Sequence, residues 1–389
     1  SADSTLPFEQ HRDLFYLTGV DQEETILVLC PDAKDPKQRE MVFVRETNAH
    51  IAVWEGHKLT KSEATAVTGI ENVQWTADFE ASFLELTKQV ENIYINTNEH
   101  YRAKVETQTR EDRFIAWCKE QFPKKNYEKS NFILQGLRGV KDPEEIAHIQ
   151  QACDITEKGF KRVLGFVTPG VWEFEIEAEF AHEFLRNRSK GFAYTPIIAS
   201  GANSNVLHYI ENSQQCQAGE LILMDVGAEY GNYSSDMTRT IPVSGRFTPR
   251  QRAVYEAVLK VKDEATQLLM PGVLWKAYHV EVGKLMSSAL VDVGLLTKKE
   301  VSDNAEAYKK YFVHGTSHHL GLDTHDYGLL DEPMEANMVF TVEPGIYIPN
   351  EGFGIRLEDD VVVQATGAPV NLMANIPIDP DEIEAMMNP

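Results

Sequence analysis

Residues 221–240 read LILMDVGAEYGNYSSDMTRT, and the reading of this stretch decides the fold. Leu221-Ile222-Leu223-Met224 is an apolar run too short for a helix and bounded by Gly219 and Gly227, so it reads as a buried strand. Tyr230-Gly231-Asn232 supplies turn residues, and Tyr233 to Thr240 returns as a second strand. A hairpin folded symmetrically between Tyr230 and Gly231 sets Asp225 opposite Asp236. Directly paired residues have Cβ atoms about 4.5–5.5 Å apart. Two carboxylates that close, inside an apolar strand pair, repel each other strongly. A cation between them is the simplest remedy.

The same device recurs towards the C-terminus. Met338 to Glu343 reads as a strand, Pro349-Asn350-Glu351-Gly352 as a turn and Gly354 to Val363 as the return. Folding midway between Asn350 and Glu351 sets Glu343 against Glu358. Upstream of each hairpin the elements come in one order. A helix opens on a capping box with proline at its first position (Asp142-Pro143, then Thr248-Pro249). A Pro-Gly-Val break follows (Pro169-Gly170-Val171, then Pro271-Gly272-Val273), then a second helix and a strand. In the helix from Phe174 to about Arg188, Ile176, Phe180 and Phe184 form the apolar stripe and the glutamates suit a solvated face. Residues 137–376 therefore read as a two-fold internal repeat, an antiparallel sheet backed by helices with both carboxylate pairs on its concave face.

Ahead of it, residues 1–125 read as a smaller α/β domain. Asp13 to Gly19 is strand-like, Thr25 to Leu29, Met41 to Arg45 and Ile93 to Ile95 are short strands, and Thr60 to Thr68 and Phe79 to Val90 are helices. The polar segment 126–136 reads as a linker and 137–389 as the second domain. The class is α/β (α+β). No secretory or transit peptide is read at Ser1, and the abrupt opening leaves room for an earlier segment. No apolar run reaches the roughly 18 residues of a membrane span. A net charge of −23 repels phosphate backbones and argues against nucleic acid. Cys30, Cys118, Cys153 and Cys216 are scattered without CxxC spacing, which implies a reducing compartment, the cytoplasm, and no disulfide framework.

The chemistry lies in a conjunction. Asp225, Asp236, Glu343 and Glu358 converge with a histidine from VHGTSHHLGLDTHD, which holds His314, His318, His319 and His325. Singly, each has an ordinary alternative: a hydrogen-bonded structural Asp, a polar loop histidine, a solvated run at Glu358-Asp359-Asp360. Together they do not, because an apolar strand rarely carries an acid without a partner. Four carboxylates and a neutral imidazole balance two divalent ions. Oxygen-rich, thiolate-free ligation suits Mn2+, with Co2+, Fe2+ and Zn2+ as alternatives. Two such ions about 3.5–4 Å apart share a water, lower its pKa towards neutrality and polarise a carbonyl.

LMDVGAEYGNYSSDMTRT, FVHGTSHHLGLDTHD, TVEPGIYI and GIRLEDD resemble the four metal-site segments of the pita-bread metallopeptidases, and LRGVKDPEEI and ASGANSNVLHY match as well. FEQHRDLFYLTG resembles the N-terminal domain of the aminopeptidase P, prolidase and creatinase branch, and the likeness is closest to aminopeptidase P. The resemblance implies a pita-bread catalytic domain behind a creatinase-like α/β domain. It implies that Asp225 chelates one metal, that Asp236 and Glu358 bridge both, and that His318 and Glu343 hold the other. His208, His314 and His325 would line the cleft, with His325 donating to the developing oxyanion and Glu343 shuttling a proton. Tyr347 and Arg356 would wall a proline pocket, Asp13 would approach the substrate's free amine, and Trp54 would match another residue at the edge of the substrate site. The implied reaction is hydrolysis of the N-terminal Xaa-Pro bond of peptides by a metal-bridging hydroxide, in a dimeric or tetrameric enzyme. The alternatives are a prolidase restricted to Xaa-Pro dipeptides and a non-catalytic binding protein on the same fold. Ser317, where prolidases tend to carry glycine, leans towards aminopeptidase P.

Overall fold

A computed structural model describes residues 8–48, 51, 57–96 and 108–388. The chain divides into two compact units, Ser1–Leu134 and Gln135–Pro389.

In the first unit, Ile26–Leu29 runs antiparallel to Glu40–Val44, which runs parallel to Val73–Trp75. Met41 to Val44 bury every side chain and anchor the core on both faces of this sheet. The segment expected to open the domain as a strand is instead the helix Arg12–Thr18, closed by Gly19 at φ 66°. Its apolar residues fit either period over so few positions. The C-terminal glycine, free to adopt the left-handed conformation, is the feature that marks a helix end. Part of the expected linker is structural too. Asn126–Lys129 pairs in parallel with Asn92–Ile95, and the Tyr127 hydroxyl donates to the Cys118 carbonyl at 2.7 Å. Polar side chains hid a strand held by its backbone and one anchored ring.

In the second unit, four long helices (Pro143–Phe166, Glu173–Arg186, Pro249–Gln267 and Trp275–Asp292) back the strands. Reciprocal capping boxes start the first and third, Asp142 with Glu145 and Thr248 with Gln251. Ile176, Phe180 and Phe184 are fully buried, as the helical spacing requires. Glu173, on the same helix, is also fully buried rather than solvated.

Both hairpins form. In the second, Val339–Val342 pairs with Asp359–Val362 and Gly345–Ile348 with Phe353–Arg356 in one continuous register, which sets Glu343 against Glu358. In the first, Leu221–Val226 pairs with Met237–Pro242, but Thr238 stands opposite Asp225. The expected direct pairing of Asp225 with Asp236 is therefore corrected by two residues. The turn is the two-residue loop Gly231-Asn232, with φ of 58° and 68° at its two positions, flanked by paired Tyr230 and Tyr233. Two consecutive left-handed residues match the twist of a hairpin. A shift of two keeps both aspartates on one face, as diagonal neighbours. Gly227 has no alternative here, since a Cβ would fall on the Ser235 carbonyl.

The repeat is uneven. In the first half Ile197–Ser200 is a full strand beside Leu221–Val226, with Ile197 opposite Asp225 and Ala199 opposite Leu223. In the second half its counterpart is a single bridge between His319 and Phe340. Bonds from Thr341 N–H to the His318 carbonyl at 3.0 Å and from Glu343 N–H to the Thr316 carbonyl at 2.8 Å keep that segment in line.

Arg239 ties the halves together. Completely buried, it donates to the Thr238 carbonyl at 3.0 Å, the Glu358 carbonyl at 2.6 Å, the Pro377 carbonyl at 3.0 Å and Asp359 Oδ1 at 2.6 Å. Lys262 caps the other Asp359 oxygen. Burial raises the Asp359 carboxyl, but Arg239 and Lys262 outweigh burial and hold it well below the usual carboxylate range. Arg239→Ala should cost about 3–5 kcal/mol, because it strands a buried anion and several carbonyls. Arg250→Ala, at the half-exposed pair with Glu351, should cost no more than about 1 kcal/mol. Urea midpoints of the two variants check the contrast.

Candidate metal centre

The four acids sit at the ends of the paired strands. The register brings Asp225 and Asp236 to one face of the first hairpin, and Glu343 and Glu358 face each other across the second. His318 arrives from the line of backbone bonds beside Val339–Val342. Its Nδ1 lies 3.0 Å from the His319 carbonyl, which fixes that nitrogen as the donor and leaves Nε2 facing the acids. That Nε2 lies 3.4 Å from Asp236 Oδ2 and 3.8 Å from Glu343 Oε1. Asp236, His318 and Glu358 each offer a ligand atom, all within 4.8 Å of one another. Asp225 joins through Tyr194, whose hydroxyl lies 2.6 Å from Asp225 Oδ1 and 2.5 Å from Asp236 Oδ1.

The electrostatics are those of anions in excess. Burial, then the charges of Asp236, Glu343 and Asp225, push the Glu358 carboxyl well above its ordinary value. Burial likewise pushes Glu343 up to about 7, against the pull of His318 and Arg356. Burial raises Asp225, and Arg356 offsets it only in part. Burial lowers His318, but Asp236 and Glu343 outweigh it and lift the imidazole to about 9. Protons fill the place of missing positive charge. A thiolate-free set of carboxylates and one oriented imidazole fits divalent cations.

Around this cluster, Arg356 spends its guanidinium on Asp225 Oδ2 at 2.5 Å, the Tyr347 hydroxyl at 2.8 Å and Thr238 Oγ1 at 3.1 Å. It acts as a strut between them. Tyr347 also meets His314 Nε2 at 2.7 Å, and burial, then Arg356, lower His314 to about 3, so its imidazole is neutral near pH 7. The His325 ring lies against that of His318, tilted by 31°, with centroids 3.8 Å apart. His208 is exposed, on a loop pinned by Glu173. That buried carboxylate accepts from Ser200 N–H, Ser200 Oγ and the Tyr209 hydroxyl, each at 2.7 Å, and from Gln214 N–H at 2.8 Å. Asp13 lies in the first unit, buried, accepting from Asn96 Nδ2 at 2.8 Å. Trp54 lies outside the described residues.

The profile of Metallopeptidase family M24 matches residues 147–365, and that of the aminopeptidase P N-terminal domain matches residues 1–94. The chain belongs to metallopeptidase family M24. Relatives within that family align with nearly all of this chain. The Xaa-Pro aminopeptidase of Escherichia coli is 34% identical across 100% of this chain and 90% of its own length. Human Xaa-Pro aminopeptidase 3 is 30% identical across 99% of this chain and 78% of its own length. The structure of zinc-substituted Escherichia coli aminopeptidase P in complex with product superposes with a TM-score of 0.89 at 32% identity, covering 100% of this chain and 91% of that one. Proline aminopeptidase P II from Yersinia pestis gives 0.88 at 32%, covering 100% and 92%. The second unit thus has the M24 pita-bread fold, behind an aminopeptidase P-type N-terminal domain.

Sequence reading missed several residues of this M24 site. Tyr194 gives no signal, because its two partners lie far along the chain. Thr238 Oγ1 donates to Glu358 Oε2 at 2.6 Å and could have been found from the strand face it shares with Asp236. Asp359 and Asp360, for which a solvated run was the ordinary alternative, are both buried. Asp360 Oδ2 accepts from Asp236 N–H at 3.0 Å and Cys153 Sγ at 3.3 Å.

The raised carboxyls set a pH dependence for the metal-free protein. Glu343 is pushed above its unfolded value, so the stability it contributes is complete below that value and is lost as pH rises through about 7. Metal-free protein should melt lower at pH 8 than at pH 5.5. Saturating divalent cation should stabilise the fold, and raise its melting temperature, more at pH 8, the stabilisation reaching about 2.7 kcal/mol at roughly one hundred times Kd. Calorimetry with and without chelator at the two pH values checks this, and equal increments would contradict it.

Proposed function

We propose that this chain is a metal-dependent exopeptidase that removes the first residue of peptides carrying proline second. The observation that carries the reading is the buried cluster of Asp236, His318 and Glu358, with Asp225 and Glu343 beside it. Asp225 would hold one divalent cation, His318 and Glu343 a second, and Asp236 and Glu358 would serve both, with Mn2+ the preferred ion over Co2+, Fe2+ or Zn2+. Held there, the ions would supply Lewis acidity, lowering the pKa of an attacking water and polarising the scissile carbonyl.

The protein's own groups do the rest. Glu343 accepts the proton of the attacking water and returns it to the leaving proline nitrogen. His325 donates a hydrogen bond to the oxygen that gains charge in the transition state. His314, neutral and tied to Tyr347, and the exposed His208 line the cleft. Tyr347 and Arg356 form the wall against which the proline ring rests. A Xaa-Pro bond lacks the N–H that general peptidases grip, and this set of groups needs no such donor. The four cysteines are free and buried, which suits the cytoplasm, and no helix among the described residues is long and apolar enough to cross a membrane. Assembly into a dimer or tetramer follows the aminopeptidase P pattern.

The end-to-end similarity to Xaa-Pro aminopeptidases favours this over a prolidase. The manganese-loaded enzyme should turn over Xaa-Pro-Yaa tripeptides, and activity should vanish on chelation and return with metal. Cleavage of Xaa-Pro dipeptides alone would make it a prolidase. Asp236→Ala should lower kcat/KM by about three orders of magnitude, the scale of losing a principal electrostatic stabiliser, together with loss of bound metal by elemental analysis. Near-native turnover would remove Asp236 from the bridging role.

A further inference from the structure

The motif LRGVKDPEEI opens the second unit. Asp142, Pro143 and Glu145 are accounted for by the helix they start. Arg138 and Lys141 are not. Both are 1% exposed, and a cation buried without an anion costs several kcal/mol. What they face is therefore informative.

They face Asp326, the residue after His325. Arg138 Nη2 lies 2.5 Å from Asp326 Oδ1 and Lys141 Nζ 3.0 Å from Oδ2, so each carboxylate oxygen is taken by a different cation. Arg138 also donates to Asp323 Oδ2 at 2.7 Å, and its guanidinium lies 4.6 Å over the Tyr327 ring. Burial raises the Asp326 carboxyl, but Lys141 and Arg138 outweigh it and hold it below the ordinary range. Space is kept for this carboxylate: a Cβ on Gly321 would strike it.

The anchored residue closes a loop. Asp326 N–H donates to the His319 carbonyl at 2.9 Å, and Gly321 N–H to the Asp323 carbonyl at 3.1 Å. His318 and His325 are the residues just before the two ends of that closure. Their rings meet at the neck, with centroids 3.8 Å apart. His318 has its own supports, since its N–H donates to Thr341 Oγ1 at 3.1 Å and its Nδ1 meets the His319 carbonyl. The clamp on Asp326 acts on the backbone next to His325.

We infer that Arg138 and Lys141, acting through Asp326, position the His325 imidazole for the transition state. Asp326 is a positioning residue and touches no reacting atom. The inference rests on the reading of His325 as oxyanion donor. An ordinary buried ion pair would stabilise the unit without regard to His325, and a double-mutant cycle separates the two.

The test uses the manganese-loaded full chain and a Xaa-Pro-Yaa tripeptide, with His325→Ala, Asp326→Asn and the double variant. Asp326→Asn should lower kcat about 10- to 100-fold, the scale of a misplacement of roughly 1 Å, with KM and metal content unchanged. Added to His325→Ala, it should lower kcat no further. A full additional loss in the double variant, or a loss confined to KM or to metal content, overturns the inference and leaves a structural staple. A His325→Ala enzyme with near-native kcat is a different result, because it sinks the oxyanion reading itself. Should Asp326→Asn not fold, Lys141→Met, which leaves Arg138 on the carboxylate, takes its place in the same cycle with the same outcomes.

Discussion

Repulsion among carboxylates that are kept from water is the constraint on which the second unit is built. Asp225, Asp236, Glu343 and Glu358 would separate if their backbones allowed it, and each like charge in a low dielectric makes the next harder to ionise. They stay because each is fixed to a paired strand end whose register cannot slip without turning its apolar neighbours outward. The energy that holds the acids together comes from burying Leu221 to Met224, Val339 to Val342 and the helices behind them. The site then gains positive charge from whatever it can bind, protons or divalent ions.

A second layer keeps the acids aimed. Tyr194 spans Asp225 and Asp236, Thr238 holds Glu358, Asp360 accepts from the Asp236 amide, and Arg356 grips Asp225. Beneath them Arg239 draws the Thr238 and Glu358 carbonyls to one guanidinium. Apart from the contact of Arg239 with its neighbour Thr238, these contacts run between the halves of the repeat or between distant segments. Neither half alone completes the arrangement.

This distinction explains what the residues disclosed before the coordinates. Periodicity and turn chemistry act locally, so both hairpins, the capped helices and the repeated order could be read. The register of the second hairpin came out right because its turn is symmetric about Asn350 and Glu351. That of the first was wrong by two because Gly231-Asn232, not Tyr230-Gly231, takes the left-handed pair of conformations. The site survived the error, since an even slip preserves the face. The helix Arg12–Thr18 and the strand Asn126–Lys129 were lost for the opposite reason, being short elements whose side chains suit several states. Glu173, Tyr194 and the Arg138–Lys141–Asp326 clamp left no local trace, because nothing near them in the chain says what they touch. The four acids stood out because an acid in an apolar strand contradicts its surroundings.

The unevenness of the repeat carries a chemical consequence. Aligning Asp225 with Glu343 aligns Ala199 with His318, since each lies on the segment antiparallel to the acid-bearing strand at the same offset. One half therefore contributes a nitrogen donor where the other contributes a methyl group. Two ions sharing the cluster would sit in unlike coordination environments, one with a borderline nitrogen ligand and one with hard oxygen alone. Unlike environments mean unlike affinities, so occupancy would rise in two stages as the free ion concentration increases, rather than in one.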